Sequence, residues 1–277
     1  MIYYSLIFTF GLFIGSFLNA IIYRLGTGES IVNSRSHCPK CGHVLSWLEL
    51  MPVISFIFQK GKCKKCSKSI SWQYPLVEIG TGFLFTLILN FEFRISSEFL
   101  ISEFLNTSYL IVISSLLVVI FVFDLKHYMI PDRIIYPAII IVLLYQVFGV
   151  WTFENWDLIQ NSKFKIQNLE TFLSPLLSAF FASSFFASIF FVSRGKWMGF
   201  GDAKLAFFMG LFLGWPNILV ALFIAFILGG IMGILLIAAR KKSLKSQVPF
   251  GPFLIAGTFV SFFWGDWIVR WYLGLIM

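Results

Sequence analysis

Apolar runs close to bilayer length recur from one end of this 277-residue chain to the other, near 2–23, 76–91, 108–123, 134–150, 171–193, 204–215, 217–239 and 252–276. Inside a lipid core no water is available to pair with backbone N–H and C=O groups, so a chain that crosses repeatedly must do so as helices or as a closed barrel. Runs such as 111–123 and 218–239 are continuous rather than alternating, which selects helices. With 58% hydrophobic and 12% charged residues, the chain has too little polar surface to cover a soluble globule. The expected fold is therefore an all-α polytopic membrane protein with about eight transmembrane helices. Two runs, 76–91 and 204–215, are short for a span, and Trp215-Pro216-Asn217 reads as a tight interfacial turn.

The first run has no Lys or Arg ahead of it, unlike a secretory signal, and reads as a retained span over 1–23 with its N-terminus outside. Eight spans from that start place 24–75, 124–133, 194–204 and 240–251 in the cytoplasm. Those segments hold 17 of the 21 Lys and Arg residues, the asymmetry of the positive-inside rule, so the formal net charge of +8 reports orientation. Three regions follow: a first span over 1–23, a cysteine-bearing module over 24–75, and a membrane core over 76–277. No internal repeat is evident.

Cys38-Pro-Lys-Cys41 and Cys63-Lys-Lys-Cys66, separated by the 21 residues 42–62, have the spacing of a two-knuckle zinc site in which each pair gives two thiolates to one tetrahedral ion. A pair of redox dithiols is the competing reading; a structural disulfide does not suit the cytoplasmic side. His37 and His43 flank the first pair, but four cysteines already complete the coordination. Lys60, Lys62, Lys64, Lys65 and Lys68 satisfy the orientation rule and can meet anionic lipid headgroups, so the expected partner is the bilayer and not nucleic acid.

In so charge-poor a chain, Asp124 and Asp202 stand out at the ends of apolar runs on the same expected side. An isolated Asp there can simply cap a helix or meet a lysine. Asp202, however, follows Gly199-Phe200-Gly201, where two glycines admit close backbone approach and unusual dihedrals and leave room for an extended peptide. Two carboxylates sharing a proton can activate water against a peptide carbonyl without a covalent intermediate. No Gly-x-Ser-x-Gly, His-Glu-x-x-His or Walker motif offers competing chemistry. Asp132 is expected to cap the fourth span, and Lys204 to act as an interfacial anchor.

The order of several motifs resembles that of the prepilin peptidases, or type IV leader peptidases, membrane aspartyl proteases with a Gly-x-Gly-Asp signature. These are Gly15-Ser16-Phe17-Leu18-Asn19 with Tyr23-Arg24, Ser34-Arg35-Ser36, Tyr74-Pro75-Leu76-Val77-Glu78, Asp124 through Pro131-Asp132, Gly199-Phe200-Gly201-Asp202-Ala203-Lys204, and Pro249-Phe250-Gly251-Pro252. The resemblance implies a bacterial cytoplasmic-membrane enzyme with Asp124 and Asp202 as the catalytic pair and zinc on Cys38, Cys41, Cys63 and Cys66. It implies prepilin or type II secretion pseudopilin substrates, cut on the cytoplasmic side between Gly and Phe. Forms with the cysteine loop usually go on to methylate the new N-terminus with S-adenosylmethionine, so both activities are expected. Gly199 and Gly201 would support the substrate site, and either of Glu78 and Asn19, polar groups within or beside spans, can help receive the leader or the new N-terminus, with a helix-end role as the alternative for Glu78. Segments 24–75 and 240–251 would admit the cofactor. Phe200 stands where many relatives have Met.

Two other classes meet part of this pattern: an ion-coupled transporter whose acids bind cations, and a noncatalytic pilus-assembly scaffold with a zinc loop. Neither explains a Gly-flanked Asp and two Cys-x-x-Cys pairs on one face.

Overall fold

A computed structural model describes residues 2–31, 33–95, 101–152, 167–239 and 248–276. Eight helices carry the eight apolar runs: α1 (Ile2–Thr27), α3 (Gln73–Ile95), α4 (Ile101–His127), α5 (Asp132–Thr152), α6 (Gln167–Ser193), α7 (Phe200–Leu213), α8 (Asn217–Ala238) and α9 (Gly251–Ile276). A ninth, α2 (Ile54–Phe58), belongs to the cysteine module, and there is no named strand among the described residues. Six helices, α1, α3, α4, α6, α8 and α9, are long and apolar enough to cross a membrane. The protein is a multi-pass membrane protein. The first helix runs past the expected end at 23 to Thr27, because Arg24 is held in its last turn by bonds from its guanidinium to the Ile31 and Ser34 carbonyls at 2.5 and 2.6 Å. The 76–91 run is not a short helix, since α3 extends beyond it at both ends.

The chain forms two compact units, 1–119 and 120–277. In the first, α1 and α3 pack backbone to backbone. A Cβ added at Gly11 would sit 2.6 Å from the Gly82 Cα, and one at Gly15 would sit 2.6 Å from the Glu78 Cα. Lipid tails are as apolar as leucine, so helices in a bilayer associate through such close contact between small residues. The Gly11/Gly15 spacing puts both glycines on one face of α1.

The second unit is organised around α7. Asp202, Ala203, Leu205, Ala206, Phe208, Met209, Gly210 and Leu211 are all buried, so most of the helix surface is covered, with Phe200 exposed and Lys204 and Phe207 partly so. It packs against α5, α6, α8 and α9. At its C-terminal end, the Gln146 side-chain amide of α5 donates to the Leu211 carbonyl, which helix geometry leaves without an intrahelical partner. Gly214 then takes φ 65°, the left-handed value that ends a helix cheaply only at glycine, and Trp215-Pro216 turns the chain into α8. Trp215, Trp264, Trp267 and Trp271 are exposed, the aromatic residues expected at a membrane–water boundary.

Small residues also set the helix contacts here. A Cβ at Gly210 would lie 2.3 Å from the Ala179 Cα of α6, and one at Gly257 of α9 would lie 2.3 Å from the Ala221 carbonyl oxygen of α8. Because the obstruction is backbone rather than a movable side chain, Gly210→Val is expected to destabilise the protein by about 3 kcal/mol or more, at the upper end for overpacking. Thermal unfolding in detergent checks this, with Gly230→Val, where the structure leaves open space, as the control.

Candidate active site

Asp124 lies in the last turn of α4, and the chain breaks immediately after it. The Tyr128 amide donates to the Asp124 carbonyl at 2.9 Å, and Tyr128 itself takes φ 56°. Asp202 is the third residue of α7. Both carboxyl groups are buried, and among the described residues no Lys, Arg or His lies within ion-pair distance of either. They are close enough for the charge on Asp124 to act on Asp202.

In place of cations, the start of a helix serves each acid. The Gly251 amide, first residue of α9, donates to the Asp124 carboxylate. The Gly199 amide donates to Asp202, which returns a bond from its own amide to the Gly199 carbonyl at 3.2 Å. Free N–H groups and the positive end of the dipole make a helix N-terminus an anion site. A Cβ at Gly251 would come 2.5 Å from Asp124 Oδ2, so any larger residue there would have to displace that carboxylate. Phe250 beside it is fixed by the rings of Phe226 and Phe186 at 5.2 and 6.1 Å.

The Gly199 and Gly201 dihedrals are ordinary, contrary to the sequence expectation. Gly199 has extended backbone at φ −77°, and Gly201 lies in the helix. What Gly201 supplies is room: its Cβ would come 3.1 Å from the Ile130 Cβ, and the Ile130 Cδ1 also faces Gly251 at 3.6 Å. Ile130 thus sits between the starts of α7 and α9. Beyond it, Asp132 and Lys204 form an ion pair at 2.6 Å, with the lysine Nζ over the rings of Tyr136 and Phe200 at 5.0 and 5.5 Å. Lys204 is therefore tied to the first turn of α5 as well as standing two residues from Asp202. Such a partly exposed pair contributes at most about 1 kcal/mol. Lys204→Met is expected to change stability by no more than that while lowering the rate of the chemistry at Asp202, which thermal melts and initial rates check together. Neither the Gly251 amide nor the Asp132–Lys204 pair emerged from sequence reasoning. Gly251-Pro252 offered a signal, since proline near a helix start marks where free amides collect.

In the first unit, Cys38, Cys41, Cys63 and Cys66 bring their sulfurs within 4.8 Å of one another, with the Cys38–Cys66 and Cys41–Cys63 pairs at 4.0 Å. Zinc–sulfur bonds of about 2.3 Å put tetrahedral sulfurs about 3.8 Å apart, so four thiolates need contract only slightly around an ion. The two knuckles repeat each other, a repeat the residue letters concealed. The Cys38 amide bonds the His43 carbonyl and Gly42 bonds back to Cys38, and the Cys63 amide bonds Lys68 while Ser67 bonds back to Cys63, all at 2.9 Å. The bridges His37–Val44 and Lys62–Ser69 close the two turns, and Gly42 and Ser67 occupy the same left-handed position at φ 70° and 54°.

Amides aimed inward favour thiolate. Those of Cys66 and Lys65 draw the Cys63 thiol down to about 6. Cys41 also accepts from the His43 amide, yet desolvation and its three sulfur neighbours push it up to about 11. The four cysteines can hold a metal ion. Neither histidine joins them: His43 Nε2 lies 3.3 Å from Glu49 Oε2, and His37 Nδ1 meets the Arg35 carbonyl at 3.2 Å.

Asn19 and Glu78 lie in the α1–α3 seam. Asn19 donates to the Tyr74 carbonyl at 3.0 Å and accepts from Gln73 at 3.2 Å. Glu78 accepts the Val53 amide at 2.7 Å and lies beside the Ser16 hydroxyl, which also faces the Leu50 carbonyl at 3.5 Å.

Fold and site together define a multi-pass helical membrane protein that carries a buried carboxylate pair and a four-cysteine cluster. The family description "Bacterial Peptidase A24 N-terminal domain" matches residues 9–91, and "Type IV leader peptidase family" matches 111–234. A prepilin leader peptidase/N-methyltransferase of Bacillus subtilis (strain 168) is 30% identical over 273 residues, covering 99% of each chain. Proteins of the same description from Aeromonas salmonicida (strain A449) and Pseudomonas aeruginosa are 27% and 26% identical, covering 100% and 95% of this chain and 96% and 91% of their own. The chain belongs to the type IV leader peptidase family. No solved structure matches it.

Proposed function

We propose that the protein cleaves the short basic leader from type IV prepilins or type II secretion pseudopilins at Asp124 and Asp202, and then methylates the new N-terminus. The observation that carries the reading is the convergence of two buried, cation-free carboxylates on helix starts in a chain of this family. Like charges so placed cannot both ionise readily, so the pair holds one proton. The ionised carboxylate takes a proton from water as that water attacks the peptide carbonyl, and the protonated one donates to the carbonyl oxygen. The Gly251 and Gly199 amides orient the two acids throughout.

Methylation follows cleavage, because the acceptor amine does not exist until the bond is broken. S-adenosylmethionine supplies an electrophilic methyl group to that amine. Segments 24–75 and 240–251 are its proposed entry; 240–247 lies outside the described residues. Zinc on the four cysteines orders the 24–75 module, a segment too small to build its own core. The distribution of Lys and Arg supports a bacterial inner-membrane protein with its N-terminus outside and both the acids and the cysteines facing the cytoplasm.

The experiment is incubation of the purified protein in detergent with a prepilin and S-adenosylmethionine, followed by mass spectrometry. Leader loss with a methyl increment on the mature chain is the expected product. An intact precursor overturns the peptidase reading and favours a scaffold or an ion-coupled transporter.

A further inference from the structure

Glu78 is a buried carboxylate in a membrane-spanning helix, and among the described residues no Lys, Arg or His lies within ion-pair distance of it. Its partners, the Val53 amide and Ser16, are neutral. An acid in that position is costly unless a cation joins it, and intramembrane acids mark ligand sites for that reason. The seam carries a second unmet group. Gln73 donates its amide to Asn19, but its Oε1 is buried without a hydrogen-bond partner. Carboxylate and amide oxygen are both acceptors, a pair suited to a cation that brings N–H donors.

Backbone geometry over the acid points the same way. Val53, whose amide bonds Glu78, has φ 58° and ψ −49° at the centre of a tight γ-type turn closed by the Ile54 amide on the Pro52 carbonyl, a strained conformation for a β-branched residue. A strained donor is one that a better donor can replace. Gln73 and Glu78 are five residues apart on α3, about 7.5 Å along its axis and about 140° around it, and both meet α1, Gln73 at Asn19 and Glu78 at Ser16.

We propose that the α1–α3 seam binds the ammonium group of a peptide N-terminus, with Glu78 as counter-charge and Gln73 Oε1 taking a peptide N–H further along the same chain. The inference rests on the reading that the cleaved pilin is the methyl acceptor, and it places that acceptor's amine in the first unit. A sulfonium ion carries no N–H and would leave Gln73 unmet. A divalent metal would want several more oxygens than this seam offers.

The test uses the full-length protein with its metal, at about pH 6.5, where an α-amine is protonated. Binding of L-phenylalaninamide and of its N-acetyl derivative is measured by calorimetry on the wild type and on Glu78→Gln, which keeps the shape and can still accept from Val53. The amine binds the wild type, the acetylated compound does not, and Glu78→Gln weakens the amine by about tenfold or more, as expected for loss of a charge-assisted bond. The KM for a precleaved pilin peptide rises in parallel, while the KM for S-adenosylmethionine holds. Equal binding of both compounds, an unchanged affinity in Glu78→Gln, or a defect confined to S-adenosylmethionine overturns the proposal. Should Glu78→Gln lose its metal or aggregate, Gln73→Leu takes its place. Weaker acceptor peptide binding supports the site, and wild-type affinity rejects it. If the wild type binds the amine through Glu78 but neither cleaves nor methylates, the proposed function fails and the ammonium site stands.

Discussion

Asp124→Asn and Asp202→Asn are each expected to leave an inserted, folded protein with no measurable leader cleavage. One carboxylate cannot both take a proton from water and give one to the carbonyl oxygen. Asparagine keeps the shape and the bonds from the Gly251 and Gly199 amides, so the loss falls on rate and not on packing. General acid–base groups contribute about 10² to 10⁴ each, and residues acting as one unit are non-additive. The double variant should therefore be little worse than either single one. Substantial turnover by either purified variant removes the dyad from the mechanism. The same variants offered a precleaved pilin and labelled S-adenosylmethionine report whether methyl transfer needs those acids.

Replacing any one of Cys38, Cys41, Cys63 or Cys66 with serine should abolish stoichiometric zinc and disorder the module between α1 and α3. A closed four-thiolate site contributes on the order of 10 kcal/mol to a segment that cannot fold without it, and three thiolates leave an open position. Each knuckle turn is closed by its own backbone bonds, and the four sulfurs bring the two together. Metal analysis together with limited proteolysis of the module reads both effects. Metal-free protein from a gentle wild-type preparation counts against zinc. Cleavage that survives in a metal-free variant assigns the peptidase to the second unit alone.

Features written in residue type were legible before the fold. Continuous apolar runs announced eight helices because the bilayer tolerates little else, and Cys-x-x-Cys spacing announced the cluster because thiolates two residues apart share an ion. Asp124 and Asp202 stood out because lipid makes acids rare. What remained hidden was written in space rather than in letters. Gly210 against Ala179 and Gly11 against Gly82 are ordinary small residues until two backbones meet at them. Gly251 serves through its N–H, a group nearly every residue carries, and only the path of α9 aims it at Asp124. The knuckle repeat was masked because Gly42 and Ser67 differ as letters while adopting one conformation. Lys204 and Asp132 are 72 positions apart, and nothing local pairs them.

α7 has 14 residues, about 21 Å of helix, whereas the hydrocarbon layer is about 30 Å thick. A span exposed to lipid would have to thin the bilayer or tilt neighbours to make up the difference, but α7 is enclosed by protein and owes no match to membrane thickness. Asp202, the third residue of this helix, is buried against those neighbours and not on a lipid-facing surface. The depth of Asp202 is then set by the helices that pack on α7 and not by the thickness of the bilayer.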